Sequence, residues 1–343
     1  MSSFWTNYNF LGLIAAAGTY ATALMFGTIG EVVTEKSGNM NLGVEGIMYT
    51  GGIVGLAATH YYEAIVGEAS SLGIVAMIFA ILGAFLSGAL YGLLFSFITV
   101  TLRANQNVTG LAMTTFGTGV AKFIGEAMSK KLGGFVSVSK HLKDFFVSKI
   151  FPESLQNIPV IGKILFGQEH FFYLAVILGI AIHLFLTKTK TGLYLRAVGE
   201  SPVTADAAGI NITKYKYLAT MIGGGISSIG GMVFIVTTSG CVWMDNSLSG
   251  LGWLAVALVI FCTWKPLNAI WGSVLFGALM IMYLWIKVPF LSMEFLTKYN
   301  ITEIYKLLPY VVTIIVLVTS SVRNNKEKQP PASLGLNYFR EDR

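Results

Sequence analysis

Asn105, Gln106, Asn107 and Thr109 place four neutral hydrogen-bonding side chains within five residues, where a polar stretch gives way to an apolar run. Such groups donate and accept without carrying charge, which suits a neutral polar solute. Asn41 and Glu45 stand at a similar boundary. Phe116, Trp243 and Trp253 offer flat rings that could stack on a heterocyclic base or the face of a sugar. The tryptophans suit a membrane interface equally well, and the amides suit helix caps, so these residues outline a candidate solute pathway rather than a reaction centre. Covalent chemistry has no convergent set. Cys241 and Cys262 lack the spacing of a disulfide framework or a metal site, and His60, His141, His170 and His183 fall on unrelated segments. The GxxxxGK[ST] phosphate cradle is absent from the sequence, so no nucleotide is expected to bind in the P-loop manner and no cofactor or metal is called for.

The elements that must position these residues are membrane helices. Of 343 residues, 54% are hydrophobic and 12% charged, with a mean hydropathy of +0.68. That is too little charge to cover a water-facing surface, so lipid is the solvent for most of the chain. Crossing a hydrocarbon core of about 30 Å takes about 20 helical residues. Apolar runs near 10–30, 46–66, 72–101, 108–126, 171–187, 216–240, 251–264, 267–288 and 306–322 give nine candidates. The expected fold is therefore all-α, a polytopic integral membrane protein of about 8–10 transmembrane helices, some broken or re-entrant. The run 72–101 is long enough to tilt steeply, and 251–264 is short enough to be a re-entrant element. The alternating short segments of a membrane barrel are not seen. Residues 1–10 lack the basic start and small-residue cleavage site of a signal peptide, so the first run reads as a retained span. The net charge of +6 fits loops that orient spans better than a nucleic-acid surface, since no compact basic domain carries it.

Placing the loop 188–215 in the cytoplasm puts residues 31–44, 102–107, 265–266 and the tail on the same side. Arg103, Arg196, Arg323, Arg340 and Arg343 then all lie inside. The stretch 128–170 falls outside, although it holds Lys130, Lys131, Lys140, Lys143, Lys149 and Lys163; either a hidden span lies nearby or this stretch forms an external cap or loop. Pro152 and Pro159 punctuate it. The middles of the apolar runs hold almost no ionisable groups, and Lys122 and Glu126, one turn apart, are expected to neutralise each other. An ion-coupled carrier would need buried charges, so energy is expected to enter elsewhere. The polar tail 324–343, with Pro330 and Pro331, reads as a disordered cytoplasmic end beyond a membrane domain spanning 1–323.

Within the polar stretch 188–216, Ser201 suits a helix N-cap, Pro202 the first helical position and Gly209 a left-handed C-terminal residue. A short capped helix is not needed for spanning. Its use would be as a rigid knob for a cytoplasmic partner, and an ordinary polar loop is the alternative.

Ala197–Pro202, Ala205–Asp206 and Gly209–Ile210 resemble the coupling segment of ABC importer permeases of the branched-chain amino-acid/ribose class. Thr34–Gly38 with Asn41–Met48 resembles the start of that family's second span. Ala104–Gln106 with Val108–Gly110 resembles the start of its fourth, and Leu248–Trp253 with Trp264–Pro266 a late repeat. The wording around Glu35–Gly46 is most similar to the nucleoside and simple-sugar branch; Leu251 and Met113–Thr115 depart from the family pattern. The resemblance implies a multi-pass cell-membrane permease for nucleosides or simple sugars, with branched-chain amino acids or another small solute as the alternative. It also implies that Gly199, Glu200, Ser201, Pro202, Ala205, Asp206 and Gly209, within about 199–210, couple to an ATP-binding cassette subunit that binds the ATP. A second permease subunit, paralogue or copy, and an extracytoplasmic substrate-binding protein complete the implied assembly.

Overall fold

The computed structural model describes residues 10–158, 162–285, 307–322 and 329–339. Within them the regular structure is helical, and the only β pairing is two isolated bridges, Ser137–Val242 and Lys149–Glu169. The long helices are α1 (Phe10–Glu35), α2 (Val44–Val66), α3 (Gly73–Ser96, prolonged by a π turn to Thr101) and α4 (Gln106–Leu132). Two short helices follow, α5 (Lys140–Phe146) and α6 (Glu153–Gln156), before α7 (His170–Lys188). The polar stretch folds as α8 (Lys190–Glu200) and α9 (Pro202–Ala207). The chain then continues through α10 (Ile212–Val233, prolonged to Thr238), α11 (Leu251–Phe261), α12 (Pro266–Trp285) and α13 (Leu308–Val322). By length and composition α1, α3, α7 and α10 qualify as membrane spans; α2 and α4 are as long but less apolar. The N-terminal residues before Phe10, Pro159, residues 286–288 of the eighth apolar run, and Arg323, Arg340 and Arg343 lie outside the described residues.

The bundle is built around α10, which packs on α1, α2 and α3. Its 89% buried span is possible because its sequence is GGGISSIGG from Gly223 to Gly231. A side chain at Gly231 would run into the Met48 carbonyl, and one at Gly51 of α2 would strike the backbone of Ser228. Small residues let helix backbones touch where lipid offers no hydrophobic drive between helices. Ser227 Oγ adds a hydrogen bond across to the Gly27 carbonyl at 3.0 Å.

The eleven residues of α11 extend about 16 Å, too short to cross a core of about 30 Å. It enters after Gly250 at φ +85° and leaves through Thr263 and Trp264, both at positive φ. Pro266 then opens α12. The short apolar run is thus a half-helix that reverses inside the bundle, next to α1 and α2.

One end of the bundle gathers residues 36–41, 103–106, 196–209, 264–265 and 331–338. The other carries residues 67–73, 133–158 and 241–243. Residues 128–170 hold no further span among those described; they fold as a packed layer. Val136, Val138, Leu142 and Phe146 are buried, Phe146 stacks on Phe171 at 6.0 Å, and the Phe145 ring fills the space left by Gly73.

Three expectations need correction. Residues 329–339 of the tail are ordered rather than disordered: Pro331 and Ser333 are buried and the backbone at Ser333 and Gly335 pairs with Gly199 and Gly38. Polar composition hid this because its partners are backbone groups of distant loops. Glu126 pairs at 3.8 Å with Lys130, one turn after it, rather than with Lys122, one turn before it. Finally, α1 runs past the apolar stretch and buries Glu31 and Glu35, at 1% and 2% exposure, while α10 buries Lys216. The middles of the spans are uncharged; the ends facing residues 36–41 are not.

Candidate solute pathway and coupling segment

Glu45 lies in the first turn of α2, and its carboxylate meets the start of the half-helix α11. Oε1 accepts from the Gly250 N–H at 2.7 Å, and Oε2 from the N–H groups of Gly252 at 2.7 Å and Trp253 at 3.3 Å. The first amides of a helix have no internal partner and the helix dipole favours an anion there. Gly252 lacks a side chain where one would strike the Glu45 backbone, so the approach is close. Glu45 therefore holds α11 against α2 and has its acceptors filled by protein.

Asn41 is wholly buried in the turn before α2: its Oδ1 caps the Gly43 N–H at 2.9 Å and its own N–H donates to Glu31 at 3.3 Å. Gln106 is buried too; its Oε1 accepts from the Met40 N–H at 2.7 Å, tying the start of α4 to the α1–α2 turn. Asn105 is the exposed N-cap of α4, accepting from the Val108 N–H at 3.1 Å. Thr109 is buried against α2, whereas Asn107 is exposed. Trp243 is buried, edge-on to Tyr49 at 6.3 Å, in the space left by Gly125. Trp253 remains 37% and Phe116 52% exposed. Of the nine residues expected along a pathway, Asn105, Asn107, Phe116 and Trp253 are thus open, and Asn41, Glu45, Gln106, Thr109 and Trp243 hold the helices together.

Trp253 lies on α11 and Asn105 caps α4, while Asn107 and Phe116 belong to one open face of α4. Asn107, Leu111, Thr115, Phe116, Gly119, Phe123 and Glu126 are exposed on it. Beside it lies a cavity of about 700 Å³, bordered by Phe116, Val120, Tyr91, Ser87, Thr50 and Tyr217. Leu90, Leu93, Leu94 and Phe97 complete its walls, which are almost wholly aromatic and aliphatic and favour contact with a ring face. The Tyr91 hydroxyl is turned away, donating to the Met113 carbonyl. Tyr91 and Tyr217 were not legible as neighbours of Phe116, since only the fold brings three helices together there.

At the opposite extreme of polarity, the segment 199–210 is built for exposure. Ser201 caps α9 by accepting from the Thr204 N–H at 3.3 Å, Pro202 opens it, and Gly209 follows it at φ +79°. Ala205 turns inward to Val198 and Ile212, leaving Val203, Thr204, Ala207, Ala208 and Gly209 on the surface. Gly199 is buried because α8 lies on the Lys36 carbonyl. Burial lowers the Lys36 ammonium below its ordinary range, with Glu200 pulling the other way. Asp206 and Arg103 border a polar cavity of about 540 Å³ with Lys216, Asn211 and Tyr338. Sequence reasoning placed Trp264 in a late motif but missed that its indole N–H donates to the buried Glu35, and it missed Ser333, Asn337 and Tyr338 altogether.

Residues 13–317 match the family described as the branched-chain amino acid transport system / permease component. Among curated relatives, the guanosine ABC transporter permease NupQ of Bacillus subtilis is 32% identical over 89% of this chain and 90% of its own length. The nucleoside ABC transporter permease NupC of Lactococcus lactis is 30% identical over 96% of both chains. Lactococcus lactis NupB, also named a nucleoside ABC transporter permease, matches at 25% identity over 31% of this chain and 29% of its own length.

Proposed function

The chain belongs to the permease-component family of the branched-chain amino acid transport system, as an integral protein of the cell membrane in ABC transport, and from that premise we propose that it imports nucleosides or simple sugars through a path along α4. Relatives named for guanosine and nucleosides support this solute class. The mid-helix face of α4, from Leu111 to Gly119, carries hydroxyl and aromatic groups without charge. A branched-chain amino acid would need partners there for its ammonium and carboxylate. A helix with this much exposed polarity is poorly suited to lipid and well suited to a water-filled path closed by a second permease subunit. Two matching Lactococcus lactis permeases favour a paralogue as that partner.

The observation that carries the energetic half of the reading is α9, a capped helix that presents Val203, Thr204 and Ala207 outward beside Glu200 and Asp206. Such a knob fits a groove on an ATP-binding cassette subunit in the cytoplasm, which binds and hydrolyses the ATP. Arg103 and Arg196 on the same end agree with that side. An extracytoplasmic binding protein delivers solute to the packed layer of residues 133–158. The permease itself then needs no cofactor, and the half-helix α11 supplies a rigid wall that rocks with its neighbours.

Asp206→Lys or Glu200→Lys is expected to abolish uptake and uncouple ATP hydrolysis while leaving insertion in the membrane intact. Uptake at the normal rate in both variants would remove the coupling assignment.

A further inference from the structure

The described part of the C-terminal tail runs across the coupling end and touches three separate loops. At the first, the Ser333 N–H and Oγ both donate to the Gly199 carbonyl, at 3.0 and 2.6 Å, and the Ala332 N–H donates to Glu200 at 3.2 Å. The second contact is to the α1–α2 turn, where the Gly335 N–H donates to the Gly38 carbonyl at 3.2 Å. Both glycines adopt positive φ, and a side chain at Gly38 would collide with Ser333. At the third, the Asn337 side chain donates to the carbonyls of Arg103 and Ala104 at 2.7 and 3.2 Å and accepts from Gln106 at 3.3 Å. The chain then returns to the knob: the Tyr338 hydroxyl donates to Asp206 at 2.9 Å, and the Arg103 guanidinium lies 4.9 Å from the centre of the Phe339 ring.

We propose that residues 331–339 form a strap that transmits movement of α9 to the starts of α2 and α4, and so to the solute path. Among the described residues α9 packs on α10, which is buried in the core, and on α8, whose Gly199 also meets the Lys36 carbonyl ahead of α2; the strap adds the link to the start of α4. A shift of α9 and the adjoining end of α8 imposed from outside is taken up at Tyr338, on Asp206, and at Ala332, on Glu200, and delivered at Asn337 and Gly335. Those two residues hold the turns that open α4, which carries Phe116, and α2, which carries Glu45. Side-chain and backbone hydrogen bonds at every junction make the link stiff in a way that a mobile tail would not be.

The inference rests on the assignment of α9 as the coupling element, so the two must be separated. The complete transporter, reconstituted with its ATP-binding, partner permease and binding-protein subunits, is compared with a chain ending at Gln329 and with a chain carrying Asn337→Ala and Tyr338→Phe. The double variant removes only half-buried side-chain contacts and decides the matter if the shortened chain does not fold. Both are expected to retain the ATP-binding subunit and to hydrolyse ATP, but to import about tenfold less solute per ATP. An unchanged ratio of solute to ATP in the double variant would overturn the strap. So would loss of the ATP-binding subunit on purification, which would make the tail a docking surface instead. Asp206→Lys run in parallel distinguishes the premise: if that variant transports normally, the coupling assignment has failed rather than the strap.

Discussion

Helices α10 and α4 are both long enough to cross a membrane, yet they are built on opposite rules. α10 is surrounded on three sides, and its glycines and serines exist to let α1, α2 and α3 touch its backbone. α4 packs chiefly on α2, and its glycines at 110 and 117 serve that single contact while its outer face stays open. The apolar, inflexible helix is the frame. The more polar one, with its open face, is the helix along which the proposed path runs. Hydropathy alone ranks α10 as a span and α4 as a doubtful one; burial shows that the doubtful span is the one with an open face.

The sharpest way to break this contrast is at the frame. Gly231→Leu places a side chain against the Met48 carbonyl and is expected to cost about 3 kcal/mol, seen as loss of folded protein on size-exclusion chromatography in detergent. A well-folded Gly231→Leu protein would mean that α10 is not immovable. At the junction between the two regions, Glu45→Ala leaves the amides of Gly250, Gly252 and Trp253, at the entry to α11, without an acceptor. A stability loss of about 2 kcal/mol is expected in thermal unfolding, with Glu45→Gln retaining part of it because one oxygen remains. On α4 itself, Phe116→Ala should leave the melting temperature unchanged and raise the apparent KM for nucleoside uptake about fivefold. If it lowers stability instead, Phe116 belongs to the frame.

The smallest effect lies far from both regions. Burial raises the Glu169 carboxyl to about 7, opposed by the Thr19 hydroxyl and by Lys149. The folded state therefore holds this proton more tightly than the unfolded chain. Its stabilisation is complete below the ordinary carboxylate pKa and is lost as pH rises through about 7. The melting temperature should fall slightly between about pH 5 and pH 8, and Glu169→Gln should flatten that slope.

Much of the fold was legible. Apolar run length located the helices, and the short run at 251–264 announced a half-helix, because both follow from bilayer thickness. The caps of α9 were readable because Ser201, Pro202 and Gly209 act within a few residues of themselves. The candidate pathway was legible only in part: Asn105, Asn107 and Phe116 could be placed on α4, but which faces are open depends on packing between distant helices. That is why Trp243, a natural stacking residue, turned out to be held between α2 and α4. It is also why Glu45 could be singled out while its partners, the amides of Gly250, Gly252 and Trp253, could not. The strap was illegible for the same reason. Its anchors are backbone carbonyls at Gly38, Arg103, Ala104 and Gly199, which no composition records.

Thiol accessibility tests the exposed face of α4 most directly. The two native cysteines, Cys241 and Cys262, are wholly buried and form a quiet background. Thr115→Cys on α4 and Ile177→Cys on the exposed apolar face of α7, away from the cavity beside α4, are introduced singly into the assembled transporter and treated with a membrane-impermeant maleimide. Thr115→Cys is expected to label, with protection by transported nucleoside, while Ile177→Cys stays silent. Equal silence at both positions, or labelling at Thr115→Cys that no solute slows, would contradict a path along α4.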